Sequence, residues 1–336
     1  MNLRPILGAA LAFAGLALAL PGHSTELPDD VIAAAKKEGK IVLYTSETAE
    51  PHRVVTKAFT AKYGIPVDIL NLRASELRER IRTEQAAGRF IGDISLNGAT
   101  TTALQSAEGA FQPHGGIPNN ANLKEPFTDD GSRLPGYLRD IGILINTQLV
   151  KPGEVKSWHD LLDPKWKGKI LSDDYRTLGT GGSTLSVLID AFGVDFARKL
   201  AEQNIVFSTT LAADMQRIAR GEYAIHANQG FETVSRLRGL PIKLVVPEEG
   251  VSYVRFDLAV LKNAPHPNAA RLLMNFYLEP ESQTTYANQG NGIVTKNIDT
   301  SKVPDDIRPL VEAKLLGTTD PDRQIKHLDI AKELFK

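Results

Sequence analysis

The chain has 336 residues, 39 Lys and Arg against 40 Asp and Glu, a formal net charge of −1 at pH 7, and no cysteine. That balance disfavours nucleic acid and anionic membrane surfaces as partners. The lack of Cys excludes disulfides, thiolate catalysis, Cys-ligated zinc and a lipid-modified N-terminal Cys. A chain this long buries a large core unaided and has room for about two domains.

The first 24 residues run from Met-Asn-Leu-Arg through an apolar stretch between Pro5 and Leu20 to Pro21-Gly22-His23-Ser24. A positive end, a short apolar core and small residues before a cut form a secretory signal, with cleavage expected after Ser24. The core is shorter than the roughly 20 residues that span a bilayer. No later segment reaches that length, so a soluble mature chain exported to the periplasm is expected.

Strand and helix then alternate. The pattern predicts a helix over 31–38 ended by Gly39, a buried strand at Ile41-Val42-Leu43-Tyr44, and a helix over 51–63 with Pro51 in its first turn. A strand over 67–70, a helix over 75–87, a strand over 92–96 and an Ala-rich helix to about 107 follow. This rhythm argues a mostly parallel sheet flanked by helices, with its strand-exit loops gathered on one edge. Residues 113–135, rich in Pro, Asn, Gly and Asp, read as a surface excursion or crossing segment. A strand over 141–146 resumes the pattern. The second series predicts strands over 169–172, 205–208, 223–226 and 242–246, with helices over 183–192, 196–203, 211–220 and 230–238. A strand over 258–261 and helices over 268–278, 281–288, 307–316 and 325–335 close the chain.

Four segments, in this order and spacing, resemble the extracellular solute-binding proteins of ABC importers, in particular the ferric-ion, phosphonate and sugar-phosphate group. They are Ile41-Val42-Leu43-Tyr44-Thr45-Ser46, the stretch from Phe59 to Val67 (FTAKYGIPV), the stretch from Trp158 to Ile170 (WHDLLDPKWKGKI), and the stretch from Ala259 to Ala270 (AVLKNAPHPNAA). The resemblance implies a two-lobed α/β fold of the type II periplasmic binding class, with mixed, mostly parallel sheets and a ligand cleft between lobes. It implies lobe 1 at 25–138 plus 255–298 and lobe 2 at 139–254 plus 299–336, joined by hinge strands and closing over a solute. The Trp158–Ile170 segment itself reads as packing, since bulky aromatics mostly bury area.

Several residues stand out as solute ligands. Thr180, Gly181, Gly182, Ser183 and Thr184 sit where a Gly-rich loop enters a helix, and free amides there favour an anion. The resemblance adds Ser46, Glu47 and Thr48 after the first strand. Asn228 and Gln229 occupy a stretch where ferric-binding relatives carry adjacent tyrosines, and their amides suit hydroxyls or a carboxylate instead. Arg139, Tyr253 and Arg255 are candidate cleft cations and aromatic, a guanidinium being able to grip a carboxylate or phosphate bidentately. An alternative metal set is Glu76, His226 and Tyr253, although Glu76 also reads as a solvated partner of Arg80 at i,i+4.

The expected role is capture of a small anionic or hydroxylated organic solute for an inner-membrane ABC permease, by a monomer with no cofactor and no catalysis. Ferric ion or a ferric chelate as the transported ligand is the alternative. A solute sensor for a receptor and a secreted hydrolase are further readings, the latter without a Gly-x-Ser-x-Gly, His-Glu-x-x-His or P-loop motif to carry it.

Overall fold

A computed structural model describes residues 25–46, 49–208, 211–236 and 238–336. The signal read over 1–24 and the candidate ligands Glu47 and Thr48 lie outside the described residues. Helix α1 (Asp29–Glu38) leads to strand β1 (Ile41–Thr45), then α2 (Ala49–Tyr63), β2 (Val67–Asn71), α3 (Ala74–Ala86), β3 (Ile94–Gly98) and α4 (Ala99–Ala107). Next come β4 (Arg133–Asn146), β5 (Ile170–Asp173), α5 (Thr180–Phe192), α6 (Val194–Ala201), β6 (Val206–Ser208), α7 (Leu211–Ala219), β7 (Ile225–Gly230) and β8 (Ile242–Val245). The chain continues through β9 (Val251–Val260), α8 (Pro267–Tyr277), α9 (Pro280–Ala287), α10 (Arg308–Val311), β10 (Leu315–Gly317) and α11 (Pro321–Leu334).

Local chemistry explains the boundaries. Helix α1 carries Asp29 and Asp30 in its first turn and Lys36 and Lys37 in its last, each complementing the helix dipole, and Gly39 at φ 80° supplies the left-handed cap. Helix α8 starts on Pro267, and its first amides are received by the carboxylate of Glu38, which accepts from Ala269 N at 2.7 Å and Asn268 N at 3.2 Å. One helix thereby caps another.

The ten strands among the described residues form one sheet in the order β2-β1-β3-β9-β4-β7-β5-β6, with β8 beside β4 and β10 beside β9. Pairing is parallel between β1 and β2, β1 and β3, β5 and β6, and β5 and β7. It is antiparallel where β4 and β9 pair with each other, with β3, with β7 and with β8. Two parallel halves are thus joined through two long strands of opposite direction. Each half has its own core. On one side, Leu43, Phe59, Ile94, Leu258 and Phe276 pack beneath α1, α2 and α8. On the other, Trp158, Ile170, Leu188, Phe196, Ile225 and Phe335 pack together. A third cluster gathers Leu144, Leu171, Ile218, Phe231 and Leu310. Each fully buried side chain of this kind contributes about 1.5–3 kcal/mol. Trp158 and Trp166 are both buried, and Trp158 Nε1 donates to Gly250 O at 2.8 Å, in keeping with a packing role for that segment.

Several stretches differ from the sequence expectation, among them 223–238, where β7 runs on to Gly230 and a 3-10 turn over Phe231–Arg236 stands in place of the expected helix over 230–238. Strand β4 begins at Arg133, not 141, because a bulge between Pro135 and Tyr137 absorbs Gly136 without ending the ladder. Strand β9 begins at Val251, not 258. Residues 307–316 are not one helix: α10 stops at Val311, and Leu315–Gly317 pairs with β9.

Candidate functional site

Strand register locates the seam between the halves. The last residue of β3, Gly98, is opposite Phe256 of β9, and the last residue of β7, Gly230, is opposite Ile141 of β4. Between those levels β4 and β9 pair with each other through Leu138↔Arg255, Arg139↔Val254 and Asp140↔Tyr253. Strand β10 joins β9 only at Val251 and Ser252, and Gly292 bridges β4 only at Leu138. Arg139, Asp140, Tyr253, Val254 and Arg255 therefore form a two-stranded window, flanked by the exits of the parallel strands, which is where open α/β sheets bind ligands. Cross-strand partners share a face, so Arg139 lies with Val254 and Asp140 with Tyr253.

Buried polar groups are normally hydrogen-bonded, and exceptions call for an explanation. Several exceptions collect at this window. Among the described residues, Asp140 Oδ1, Asn228 Nδ2, Gln229 Oε1, Glu232 Oε2 and Asn291 Nδ2 are sealed from solvent without a hydrogen-bond partner. The opposite ends of two of these side chains are anchored. Asn228 Oδ1 accepts from Ser172 Oγ and from Asp173 N, both at 3.1 Å, tying the exits of β5 and β7 together. Gln229 Nε2 donates to Thr233 Oγ1 at 3.3 Å. The amide ends left over are held in place rather than loose.

The window is electrostatically mixed. Burial pushes the Asp140 carboxyl up to about 7; nearby Lys124 opposes that shift and Glu232 adds to it. Burial likewise lowers Lys124 from the ordinary lysine value and raises Tyr253 above the ordinary phenol value. Arg139 places its guanidinium over the Phe256 ring, 5.2 Å from the centroid, and its Nε lies 3.6 Å from Glu232 Oε1. Arg255 is closed on Asp257 in a bidentate fork at 2.7 and 2.9 Å, and Asp257 also accepts from Thr102 Oγ1 at 3.2 Å. The fork expected to grip a solute is therefore engaged within the protein here.

The glycine-rich segment behaves differently from its sequence reading. Helix α5 starts at Thr180 rather than Ser183, and the carboxylate of Asp173 accepts from Gly181 N at 2.9 Å. An internal anion thus sits at one of the amides expected to meet an external one. Glycine is required for contact: a Cβ on Gly181 would lie 2.5 Å from Asp173 O and one on Gly182 2.2 Å from Thr177 O. Ser183 Oγ accepts from Gln324 Nε2 at 3.0 Å, and buried Thr184 meets Ser252 Oγ at 3.4 Å, which ties the first turns of α5 to the crossing strand. Ser46 lies in a bend after β1 and is partly buried.

The alternative metal set is not brought together. Glu76 is exposed and accepts from Arg73 N at 3.3 Å at the start of its own helix, while Arg80 pairs with Glu84 at 2.8 Å, not with Glu76. His226 is fully buried on β7, with Nε2 3.8 Å from Asp214 Oδ2. Strand β7 is four places from β1 in the sheet, about 19 Å at about 4.8 Å per strand, and His226 and Glu76 belong to opposite parallel halves. Among the described residues no three His, Asp or Glu side chains converge as a metal site.

Asp140 and Glu232 are window residues that sequence reasoning missed. Two signals were present: an Arg-Asp pair inside the apolar run of β4, and a glycine two residues before Glu232. A Cβ on Gly230 would lie 2.3 Å from Glu232 Oε2. Neither Ser–His approach among the described residues makes an open nucleophile. Ser157 Oγ donates to Glu249, which also accepts from His159 Nδ1, and Ser186, 2.8 Å from His327 Nδ1, is fully buried.

Known proteins resemble this chain in sequence and in fold. A protein of Haemophilus influenzae with no assigned role is 27% identical over 279 residues, 78% of this chain and 80% of its own length. The iron uptake protein A1 of Synechocystis is 31% identical over 147 residues, 43% of this chain and 40% of that protein. A putative 2-aminoethylphosphonate-binding periplasmic protein of Salmonella typhimurium is 23% identical over 252 residues, 69% of this chain and 70% of that one. Among solved structures, an extracellular solute-binding protein of Bordetella parapertussis superposes with a TM-score of 0.74 at 17% identity, covering 89% of this chain and 98% of that one. An iron- and citrate-bound protein of Trichodesmium superposes at 0.73 and 19% identity, covering 88% and 99%. These likenesses establish the two-lobed fold. The family model for the bacterial extracellular solute-binding protein matches residues 99–311, most of the chain and the whole crossing window, and the chain belongs to that family.

Proposed function

We propose that this protein is the periplasmic substrate-binding component of an ABC importer, which captures a small anionic or hydroxylated organic solute between its lobes and delivers it to an inner-membrane permease. The observation that carries this reading is the set of sealed, unpartnered polar atoms at Asp140, Asn228, Gln229, Glu232 and Asn291, gathered on either side of a two-stranded hinge. Lobe 1 at 25–138 plus 255–298 and lobe 2 at 139–254 plus 299–336 close about that hinge, so that contacts from both lobes are made at once. The protein works as a monomer, exported by its leader, and releases the solute unchanged. No helix among the described residues is long and apolar enough to cross a membrane, and the family is a transport family.

Ferric citrate or another chelate taken whole is a second reading, favoured by the iron uptake relative and the iron- and citrate-bound neighbour. The metal would then keep its chelator's ligands. A thermal-shift panel of phosphonates, sugar phosphates, carboxylates and ferric complexes tests both readings, because ligand at 100 times its Kd adds about 2.7 kcal/mol to native stability. Stabilisation by an organic member without colour supports the first. Stabilisation by ferric complexes alone, with a charge-transfer band, replaces it with the second.

A further inference from the structure

We infer that Lys124 is the specificity-determining contact of the window: its ammonium receives an oxyanion of the solute, and Asp140 beside it must take up a proton for that contact to form. This rests on the solute-binding reading above and assigns its charged contact to one residue and one protonation state. A third wall closes the window beside β4. Gly292 N donates to Leu138 O at 2.9 Å and Gly292 O accepts from Leu138 N at 2.8 Å, which fixes the stretch 291–295 along the strand. On the far side of that stretch, Lys124 N donates to Val294 O at 2.9 Å and Leu123 bridges Thr295. Gly292 is backed against the Asp140 carboxylate, with which any side chain at that position would collide. Lys124 is partly buried and near enough for its charge to act on Asp140, yet among the described residues its ammonium has no hydrogen bond and no ion pair.

The other cations of the window are answered within the protein. Arg255 is forked onto Asp257, and Arg139 lies over Phe256 with its Nε 3.6 Å from Glu232 Oε1. Asp140 itself is met by Lys124 from the wall segment, by Glu232 from the turn after β7 and by Tyr253 directly across on β9. Burial disfavours the ionised carboxyl and Glu232 adds to that against Lys124, so Asp140 titrates at about 7. Below that pH the neutral carboxyl leaves the Lys124 charge uncompensated and can place its hydrogen on the unpartnered Oδ1. Above it, the ionised carboxylate compensates Lys124 and repels an incoming anion. Two more sealed donors, Asn228 Nδ2 and Asn291 Nδ2, point to the same chemistry, since an oxyanion accepts several hydrogen bonds and a positive charge strengthens them. Burial lowers Lys124 from the ordinary lysine value, and an arriving oxyanion restores the favourable field that desolvation removes. Gln229 Oε1 and Glu232 Oε2 remain for hydroxyl hydrogens elsewhere on the solute.

Calorimetric titration of the purified mature protein with matched pairs tests this: glucose 6-phosphate against glucose, and butanoate against butanamide. In parallel, native mass spectrometry identifies what the protein retains from a bacterial small-molecule extract, and that species is titrated in the same way. The acid member is expected to bind at least tenfold tighter than its neutral partner, or the retained species to contain an oxyanion. Lys124→Met should lose at least tenfold of the affinity and Lys124→Arg should keep most of it. Between pH 7 and 8.5 the affinity should fall about tenfold as the competent, protonated fraction shrinks, with a proton taken up on binding, read from titrations in buffers of different ionisation enthalpy. Asp140→Asn should abolish both the pH dependence and the uptake, a readout that stands even if Lys124→Met does not fold. Equal affinity within each pair, a retained solute without an acid group, wild-type affinity in Lys124→Met, or a flat pH profile without proton uptake overturns the assignment while leaving a binding protein. If no probe binds and nothing is retained from the extract, the solute-binding reading falls with it.

Discussion

Tyr137 and Asp140 stand three residues apart on β4, yet their surroundings are built on opposite principles. Tyr137 is stacked between Phe256 at 4.7 Å and Tyr286 at 4.5 Å, with His52 edge-on at 5.6 Å, in an aromatic block. Asp140 is equally buried, but its Oδ1 has no hydrogen-bond partner among the described residues, and the strand exit beside it carries more such atoms. The block secures the crossing strands to the core that also holds Leu43, Phe59 and Phe276. The window, on the same strands, is where we propose that a solute's polar groups are received. Close packing and an unfilled polar site can therefore share one pair of strands, because side chains alternate between faces and the flanking strands stop short.

The contrast breaks first at the block. Tyr137→Ala removes both stacked contacts and leaves a cavity, so urea unfolding is expected to show a loss of about 3–5 kcal/mol; a loss below about 1 kcal/mol would mean that the block does not anchor the crossing.

The next test is at the window. Folding raises the Asp140 pKa to about 7 through burial, so its protonated form is the one the fold prefers. The associated stability is complete below pH 4 and is lost as pH rises towards 7. Asp140→Asn is accordingly expected to raise stability at pH 8 by an amount on the order of 2 kcal/mol and to leave it nearly unchanged at pH 4. An equal offset at both values would show that Asp140 does not titrate this way.

His52 provides the opposite slope. Its imidazole, with Nδ1 2.8 Å from Tyr286 OH, is held neutral by burial, which lowers its pKa to about 3. Its contribution is complete above pH 6.5 and is lost as pH falls towards 3. His52→Gln should flatten the melting-temperature profile between pH 6.5 and 4, and an unchanged slope there would assign the acid sensitivity elsewhere. The smallest effect is expected from Arg255→Lys, which keeps the charge but loses the fork onto Asp257. Thermal unfolding should show a cost of about 1 kcal/mol, and a cost above about 3 kcal/mol would make that pair part of the hinge's scaffold.

Much of the fold was legible because periodicity and punctuation agreed. The helices at α1, α2 and α8 and the strands β1 to β3 fall within a few residues of expectation, each bounded by Gly, Pro or a charged turn. The crossing strands were only half visible. Pro135-Gly136 reads as a turn until a bulge absorbs it, and the polar run Ser252 to Asp257 hides a strand whose Arg255 and Asp257 satisfy each other two residues apart. Arg139 and Tyr253, singled out as a cleft cation and aromatic, fall in the window, and Asn228 and Gln229, singled out through the family resemblance, lie on β7 beside it. The segment 180–184 was read as an open anion site, and no sequence pattern announces that Asp173, seven residues earlier, would occupy its amides. Carboxylates such as Asp140 and Glu232 are hard to single out because most such residues are solvated; only tertiary burial distinguishes these two.

A crystal structure of the protein with the solute it retains tests the central claim most directly. The account requires density between the lobes, against Arg139, Tyr253 and the β7 exit at 228–232. Density confined to the cavity of about 380 Å³ lined by Arg78, Phe90 and Lys262, with none at the window, would contradict it.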